Sequence, residues 1–232
     1  MKTVSTRAGK SRPEPFLPFV IIRTLASCSP LYVVLALATA QTIEHEPERE
    51  HWQQVSDIFQ AMAIGPGSTV ADVGAGDGFL TVRLSPSVGE KGRVYAEDIA
   101  EERLERLQKR VADAHLDNVV IVHGAADDPS LPAARLDSVV ILNSYHEMAK
   151  YDEMLWHIHE SLKPGGRLVI VEPSPSLSEE TRAQQIAKHH IGSTFVAEEM
   201  TRAGFTIIGT RDKFAQIPDA GYYSLVVGRR AE

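Results

Sequence analysis

Apolar residues recur at helical spacing from Trp52 through Val55, Ile58, Phe59 and Met62, then stop before Gly65-Pro66-Gly67. That pattern predicts an amphipathic helix closed by a turn. Thr69 to Val73 is a short apolar run that feeds directly into glycines, as a buried strand does, and a helical stretch follows to about Leu84. Gly92 to Ile99 reads as a second strand, Ala100 to His115 as a charged amphipathic helix, and Asn118 to His123 as a third strand. Leu136 to Asn143 is a fourth strand and Tyr151 to Leu162 a helix. Lys163-Pro164-Gly165-Gly166 is a turn, and Arg167 to Glu172 a fifth strand. Ser193 to Ala203 is helical, and Phe205 to Thr210 and Tyr222 to Gly228 are two closing strands. Strands alternating with helices predict βαβ units on a mainly parallel sheet. Two strands in close succession at the end predict an antiparallel hairpin at one edge.

The first forty residues follow a different pattern. Lys2, Arg7, Lys10 and Arg12 precede a mostly apolar stretch from Phe16 to Ala40, broken by Arg23, and Ala38-Thr39-Ala40 before Gln41 has small residues at the exit. A basic start, an apolar middle and a small-x-small end predict a signal peptide or hydrophobic anchor over 1–41. Arg23 leaves a short span for a bilayer. Leu25-Ala26-Ser27-Cys28 also has the form of a lipoprotein box, and a start site further down the chain is a fourth reading. Residues 42–50 are charged like a linker, and 51–232 form the folded domain. A leader points to export or membrane association.

Length and composition narrow the classes. The chain has 232 residues, 43% of them hydrophobic, which suits one full-sized domain behind a leader. A net charge of -7 with no long basic run argues against nucleic acid as the main partner. The single cysteine, Cys28, excludes an intramolecular disulfide and a cysteine-built metal site.

The chemistry concentrates where the first strand ends, at Asp72-Val73-Gly74-Ala75-Gly76-Asp77-Gly78. Ligands of open parallel sheets sit beyond the carboxyl ends of the strands, and glycines there let backbone approach a ligand closely. The dinucleotide fingerprint spaces its third glycine one residue further on; here Phe79 holds that place. Asp72, an acid before the loop, suits a cationic ligand better than a pyrophosphate. The second strand ends in Glu97-Asp98, where a carboxylate can accept ribose hydroxyls or cap the next helix. Asp98 is the first choice for the ribose and Glu97 the second.

Ala71 to Phe79, Val94 to Ile99, Leu136 to Leu142 and Leu162 to Leu168 occur in the order and spacing of known enzymes. From about His51 to Arg229 the chain resembles the class I S-adenosylmethionine-dependent methyltransferases of small-molecule type. The resemblance implies an α/β fold: a three-layer, Rossmann-like sandwich on a seven-stranded, mainly parallel sheet whose last strand is antiparallel. It implies S-adenosylmethionine as cofactor. Asp72, Gly74, Ala75, Gly76 and Gly78 would border its methionine part, and Asp98 with Ile99 its ribose. Gly124 to Asp128 would flank the adenine. Ala125 stands where many relatives carry an acid, so Asp127 and the Ala126 backbone take that place. Asn143 would close the pocket.

Methyl transfer requires alignment, plus a base when the acceptor carries a proton. Asn143-Ser144-Tyr145-His146-Glu147 follows the fourth strand, where the methyl group should point. His146 is the candidate base, Tyr145 shapes the pocket, and Glu147 orients the imidazole or takes the proton. A capping or packing role for His146 is the alternative. His189-His190 and Glu172 face the same rim in this reading. No compact ligand spacing joins His146, Glu147, Glu172 and His190, so no metal is expected. The expected partner is a small-molecule acceptor, with a protein acceptor open and membrane contact only through the N-terminal segment. Two other classes stay open: a nicotinamide-dependent oxidoreductase, and a module that binds S-adenosylmethionine without catalysis. Cofactor supply argues for the cytoplasm, against the leader.

Overall fold

The computed structural model describes residues 46–175, 179–218 and 221–232. The signal, anchor and lipoprotein readings of residues 1–41 lie outside them. Two short helices open the described chain, α1 (Glu46–Trp52) and α2 (Val55–Met62). The pattern predicted one helix here, beginning after a polar linker. Gln54 at φ 53 breaks it in two. Helix α1 has no buried residue and is fastened by charge instead. Glu46 meets Arg110 at 2.5 Å and Arg83 at 3.6 Å. A helix held by ion pairs leaves no apolar periodicity to read.

Next come β1 (Thr69–Val73), α3 (Thr81–Val88), β2 (Arg93–Asp98), α4 (Glu101–Asp113), β3 (Val119–His123) and β4 (Leu136–Leu142). After β4 a single 3-10 turn, Tyr145–Glu147, leads to α5 (Tyr151–Ser161) and β5 (Leu162–Ser174). The chain ends with α6 (Arg182–Ile186), α7 (Ser193–Arg202), β6 (Thr206–Ile217) and β7 (Gly221–Arg229).

The seven strands form one sheet in the order β3-β2-β1-β4-β5-β7-β6. Every pairing from β3 to β5 is parallel, and β7 runs antiparallel to both β5 and β6. Strand alternation splits the core into layers. Val70, Val94, Val140 and Val169 pack under α2 and α3 with Ile58, Met62, Leu84 and Val88. Ala71, Val139, Ile141 and Ile170 face the opposite way, onto Leu155 and Ile158 of α5 and Val196 and Met200 of α7. Ala96 with Leu104 and Leu107 seats α4. This is the three-layer sandwich, with its last strand reversed.

Three boundaries differ from the pattern. Strand β5 starts at Leu162, opposite Leu136, before the next pairing of Ser138 with Arg167. Lys163 to Gly166 therefore bulge out of a longer strand, with Gly165 at φ 78. Helix α3 continues past Leu84 through Pro86 to Val88. Strand β6 runs on to Ile217 because its edge pairs with β7 as far as Gly221.

Candidate active site

Strands β1 and β4 lie side by side, yet the chain leaves β1 toward the α3 layer and β4 toward the α5 layer. Such a switch opens a crevice beyond the carboxyl ends of the strands. One wall is the loop after β1. Gly74, Gly76 and Gly78 all take positive φ, at 70°, 57° and 82°. A Cβ on Gly74 would stand 2.4 Å from Ser144 Oγ and 2.8 Å from Ser144 Cβ. Gly74 thus lets the loop after β4 close against the loop after β1.

The loop is held by the two acids that end β2. Asp98 accepts Gly76 N–H at 2.9 Å and Ala100 N–H at 2.9 Å, so it braces the loop and begins α4 with one carboxylate. Glu97 accepts Gly74 N–H at 3.2 Å through Oε2. Its other oxygen, Oε1, is buried without a hydrogen-bond partner. Gly124 makes room for it, since a Cβ there would lie 1.9 Å from Oε1. Burial first, opposed by the Gly74 hydrogen bond and aided by the Asp98 and Asp72 charges, pushes the Glu97 carboxyl up to about 8. Asp72 is also buried, and its Oδ2 accepts Thr81 Oγ1 at 2.7 Å at the start of α3. Burial raises it to about 6. Asp72 therefore sits beneath the loop and secures its exit. Ala75 N–H donates to Glu97 O at 2.8 Å, and Ile99 stands exposed on the rim.

The opposite wall follows β4. Asn143 takes φ 57, a conformation that asparagine tolerates. Its Oδ1 accepts the Tyr223 hydroxyl at 3.4 Å, and Gln53 Nε2 donates to the same hydroxyl at 3.4 Å. Beyond it, fully buried Glu172 at the end of β5 collects three donors. Oε1 accepts Ser144 N–H at 2.8 Å and Tyr145 N–H at 2.7 Å, while Oε2 lies 2.6 Å from His146 Nδ1. An acceptor-only carboxylate there assigns the proton to Nδ1 and leaves Nε2 as the free ring nitrogen. Burial lowers the His146 pKa, but the Glu172 hydrogen bond and charge, with Glu147, more than offset that, and the net shift is upward. His146 Nε2 lies 3.9 Å from Glu147 Oε1, and the His189 ring stands edge-on 5.8 Å away.

Tyr145 is elsewhere. Its side chain is fully buried and its hydroxyl donates to Glu199 Oε2 at 2.7 Å. His190 turns toward Glu180, at 3.6 Å. Ala126 lies in a tight turn closed by Ala125 N–H to Asp128 O at 2.7 Å, and Asp127 pairs with Lys150 at 2.6 Å.

Sequence reasoning missed Arg49, Gln53 and Tyr223. The Arg49 guanidinium lies 3.8 Å from the Phe79 ring centroid, and Arg83 lies 4.1 Å from it. Arg49 Nε donates to Gln53 Oε1 at 3.0 Å. These residues stand on α1, on the segment joining it to α2, and on β7, far in sequence from the motif. No signal ties them to it before the chain folds.

Residues 70–166, which span the glycine loop, both acids of β2 and the His146 segment, match a family model described as "Methyltransferase domain". Over that stretch the chain matches the methyltransferase domain, of the class I S-adenosylmethionine-dependent kind. Over 126 residues it is 31% identical to the demethylmenaquinone methyltransferase of Geobacillus stearothermophilus, covering 54% of each protein. Against the enzyme of that name from Listeria monocytogenes serotype 4a it is 27% identical over 124 residues, 53% of this chain and 52% of that one. The chain thus spans about half the length of the relatives it matches. Solved structures share the fold. A SAM-dependent methyltransferase from Aquifex aeolicus superposes with a TM-score of 0.69 at 23% identity, covering 79% of this chain and 93% of that one. A protein from Bordetella parapertussis, described as a possible exported protein, gives 0.61 at 20%, covering 80% and 68%. The nicotinamide reading of the glycine loop is not favoured by this match over residues 70–166.

Proposed function

We propose that this chain moves the methyl group of S-adenosylmethionine to a small-molecule acceptor held beside His146. The observation that carries the reading is the contact between the two walls. Gly74 and Ser144 meet with no room for a Cβ, so the cofactor loop adjoins the segment that carries His146. The site fits the cofactor. Glu97 Oε1 is buried without a hydrogen-bond partner, and a ribose hydroxyl, able to donate or accept, would supply one. Arg49, stacked on Phe79, is the cation suited to an amino-acid carboxylate.

When bound, S-adenosylmethionine supplies a methyl group on a positively charged sulfur. Asp98 and Glu97 fix the loop backbone, Gly74 keeps the walls close, and Glu172 holds the imidazole so that Nε2 can take an acceptor proton. A small acceptor agrees with the names of the Geobacillus and Listeria relatives. The orientation of the imidazole by Glu172 favours catalysis over a module that only binds the cofactor.

Labelled-methyl transfer to a cell extract, fractionated by size, tests the reading. Label should enter the small-molecule fraction. His146→Ala should lower turnover by about 100-fold while cofactor affinity changes little. Equal turnover returns His146 to a packing role, and label in protein alone replaces the acceptor class.

No helix among the described residues is long and apolar enough to cross a membrane. The apolar segment before residue 41 supports membrane association or export, and the Bordetella protein of the same fold is described as a possible exported protein. Cofactor supply favours the cytoplasmic side. Fractionation of cells bearing the full chain, with and without residues 1–41, decides between them.

A further inference from the structure

We infer that His146, Glu147 and His189 form a binding site for a divalent first-row transition ion of the zinc type. One donor atom from each of the three lies within 4.8 Å of the others. Within the set, His146 Nε2 and Glu147 Oε1 are 3.9 Å apart. Ligands on a common ion at about 2.0–2.2 Å stand closer than this, so the cluster must contract slightly. Glu147 and His189 are both exposed, which lets their side chains turn inward without moving the core.

The stronger argument is the orientation of His146. A ring that ligates through one nitrogen is ordinarily held by a hydrogen bond from the other to a carboxylate or carbonyl, which fixes the tautomer and raises basicity. Glu172 supplies that bond at 2.6 Å on Nδ1. It is itself immobilised by Ser144 and Tyr145 N–H groups. The lone pair on Nε2 therefore has a fixed direction, toward a carboxylate and a second imidazole.

His189 reaches this place through the fold. The turn after α6 puts it at φ 56, and Ile191 N–H donates to Pro173 O at 2.9 Å, tying the turn to the end of β5. Residues from the ends of β4 and β5 and from the turn after α6 thus converge. No compact motif announces them, because the chain between them forms two helices and a strand.

Two imidazoles and one carboxylate form a three-donor set that leaves a position open for water or an acceptor oxygen. Imidazole donors select zinc-like ions over magnesium. The ion's use rests on the methyl-transfer reading: it would hold an acceptor hydroxyl and ease loss of its proton, the task otherwise done by Nε2. The ion site itself does not depend on that reading.

Calorimetry of the full chain with Zn2+ alone, and separately with S-adenosylhomocysteine, tests it. One Zn2+ per chain should bind, and excess Mg2+ should not displace it. His189→Ala and Glu147→Gln should each weaken Zn2+ binding at least about 10-fold, and Glu172→Gln, which keeps all three ligands, about 10–100-fold. His189→Ala should leave the affinity for S-adenosylhomocysteine unchanged, which also shows that the variant is folded. Absence of Zn2+ binding, displacement by Mg2+, or equal binding by both surface variants overturns the inference. Binding of S-adenosylhomocysteine without Zn2+ would leave the methyl-transfer reading standing.

Discussion

The two walls of the crevice are built on opposite principles. The wall after β1 is backbone held by side chains: Gly74 and Gly76 N–H groups rest on Glu97 and Asp98, and glycine conformations shape the surface. The wall after β4 is side chain held by side chain, with Glu172 joining His146 to two backbone amides. The first depends on the absence of a Cβ and the second on the presence of one carboxylate. The difference suits the tasks. A cofactor common to many enzymes can be held by backbone, whereas the proton chemistry of a particular acceptor calls for a specific imidazole.

The largest effect should come from the second wall. Glu172→Ala leaves three donors without their acceptor in a fully buried place, which should cost about 3 kcal/mol or more. The thermal midpoint should fall by roughly 6–12 °C for a domain of this size. A fall within scan error would mean that Glu172 does not organise that wall.

On the first wall, Gly74→Ala should cost about 2 kcal/mol, from its positive φ and the approach to Ser144. Cofactor affinity should be lost with it. Adding Ser144→Gly should recover part of the stability but not the part due to φ. Full recovery would mean that contact alone requires the glycine.

The smallest effect concerns the acids that brace the first wall. Burial raises Glu97 from its ordinary 4.5 to about 8. Between those values the folded chain keeps a proton that the unfolded chain has released. Stability therefore falls as pH rises across that window. Glu97→Gln should flatten this slope and gain about 1–2 kcal/mol at pH 8, read from urea midpoints. An unaltered slope would place the titration elsewhere, Asp72 being the next group.

The same contrast explains what the sequence disclosed. Strands β1 to β4 and the glycine loop are local patterns, so their residues and partners can be read along the chain. Spacing selects Asp98 at the end of β2 for the ribose, whereas in the fold its two oxygens accept Gly76 and Ala100 N–H, a contact that lies beyond the paired register of β1 and β2. The closing hairpin of β6 and β7 also showed in the spacing of its apolar runs. Helix α1 escaped because ion pairs, which have no period, hold it in place. Helix α6 escaped because it is short, although Thr181 and Gln184 form the capping box that marks its start. Tyr145 looked like a pocket residue by position, but the 3-10 turn aims it at Glu199. The meeting of His146 with His189 depends on the turn after α6, whose geometry no local pattern encodes.

The central claim is that the crevice between these walls holds S-adenosylmethionine. Titration of the purified full chain with S-adenosylhomocysteine in a calorimeter measures this directly. One molecule per chain should bind, and Asp98→Ala should weaken it several-fold, because Gly76 and Ala100 lose their common acceptor. No heat of binding in a chain shown by its thermal transition to be folded would contradict the account.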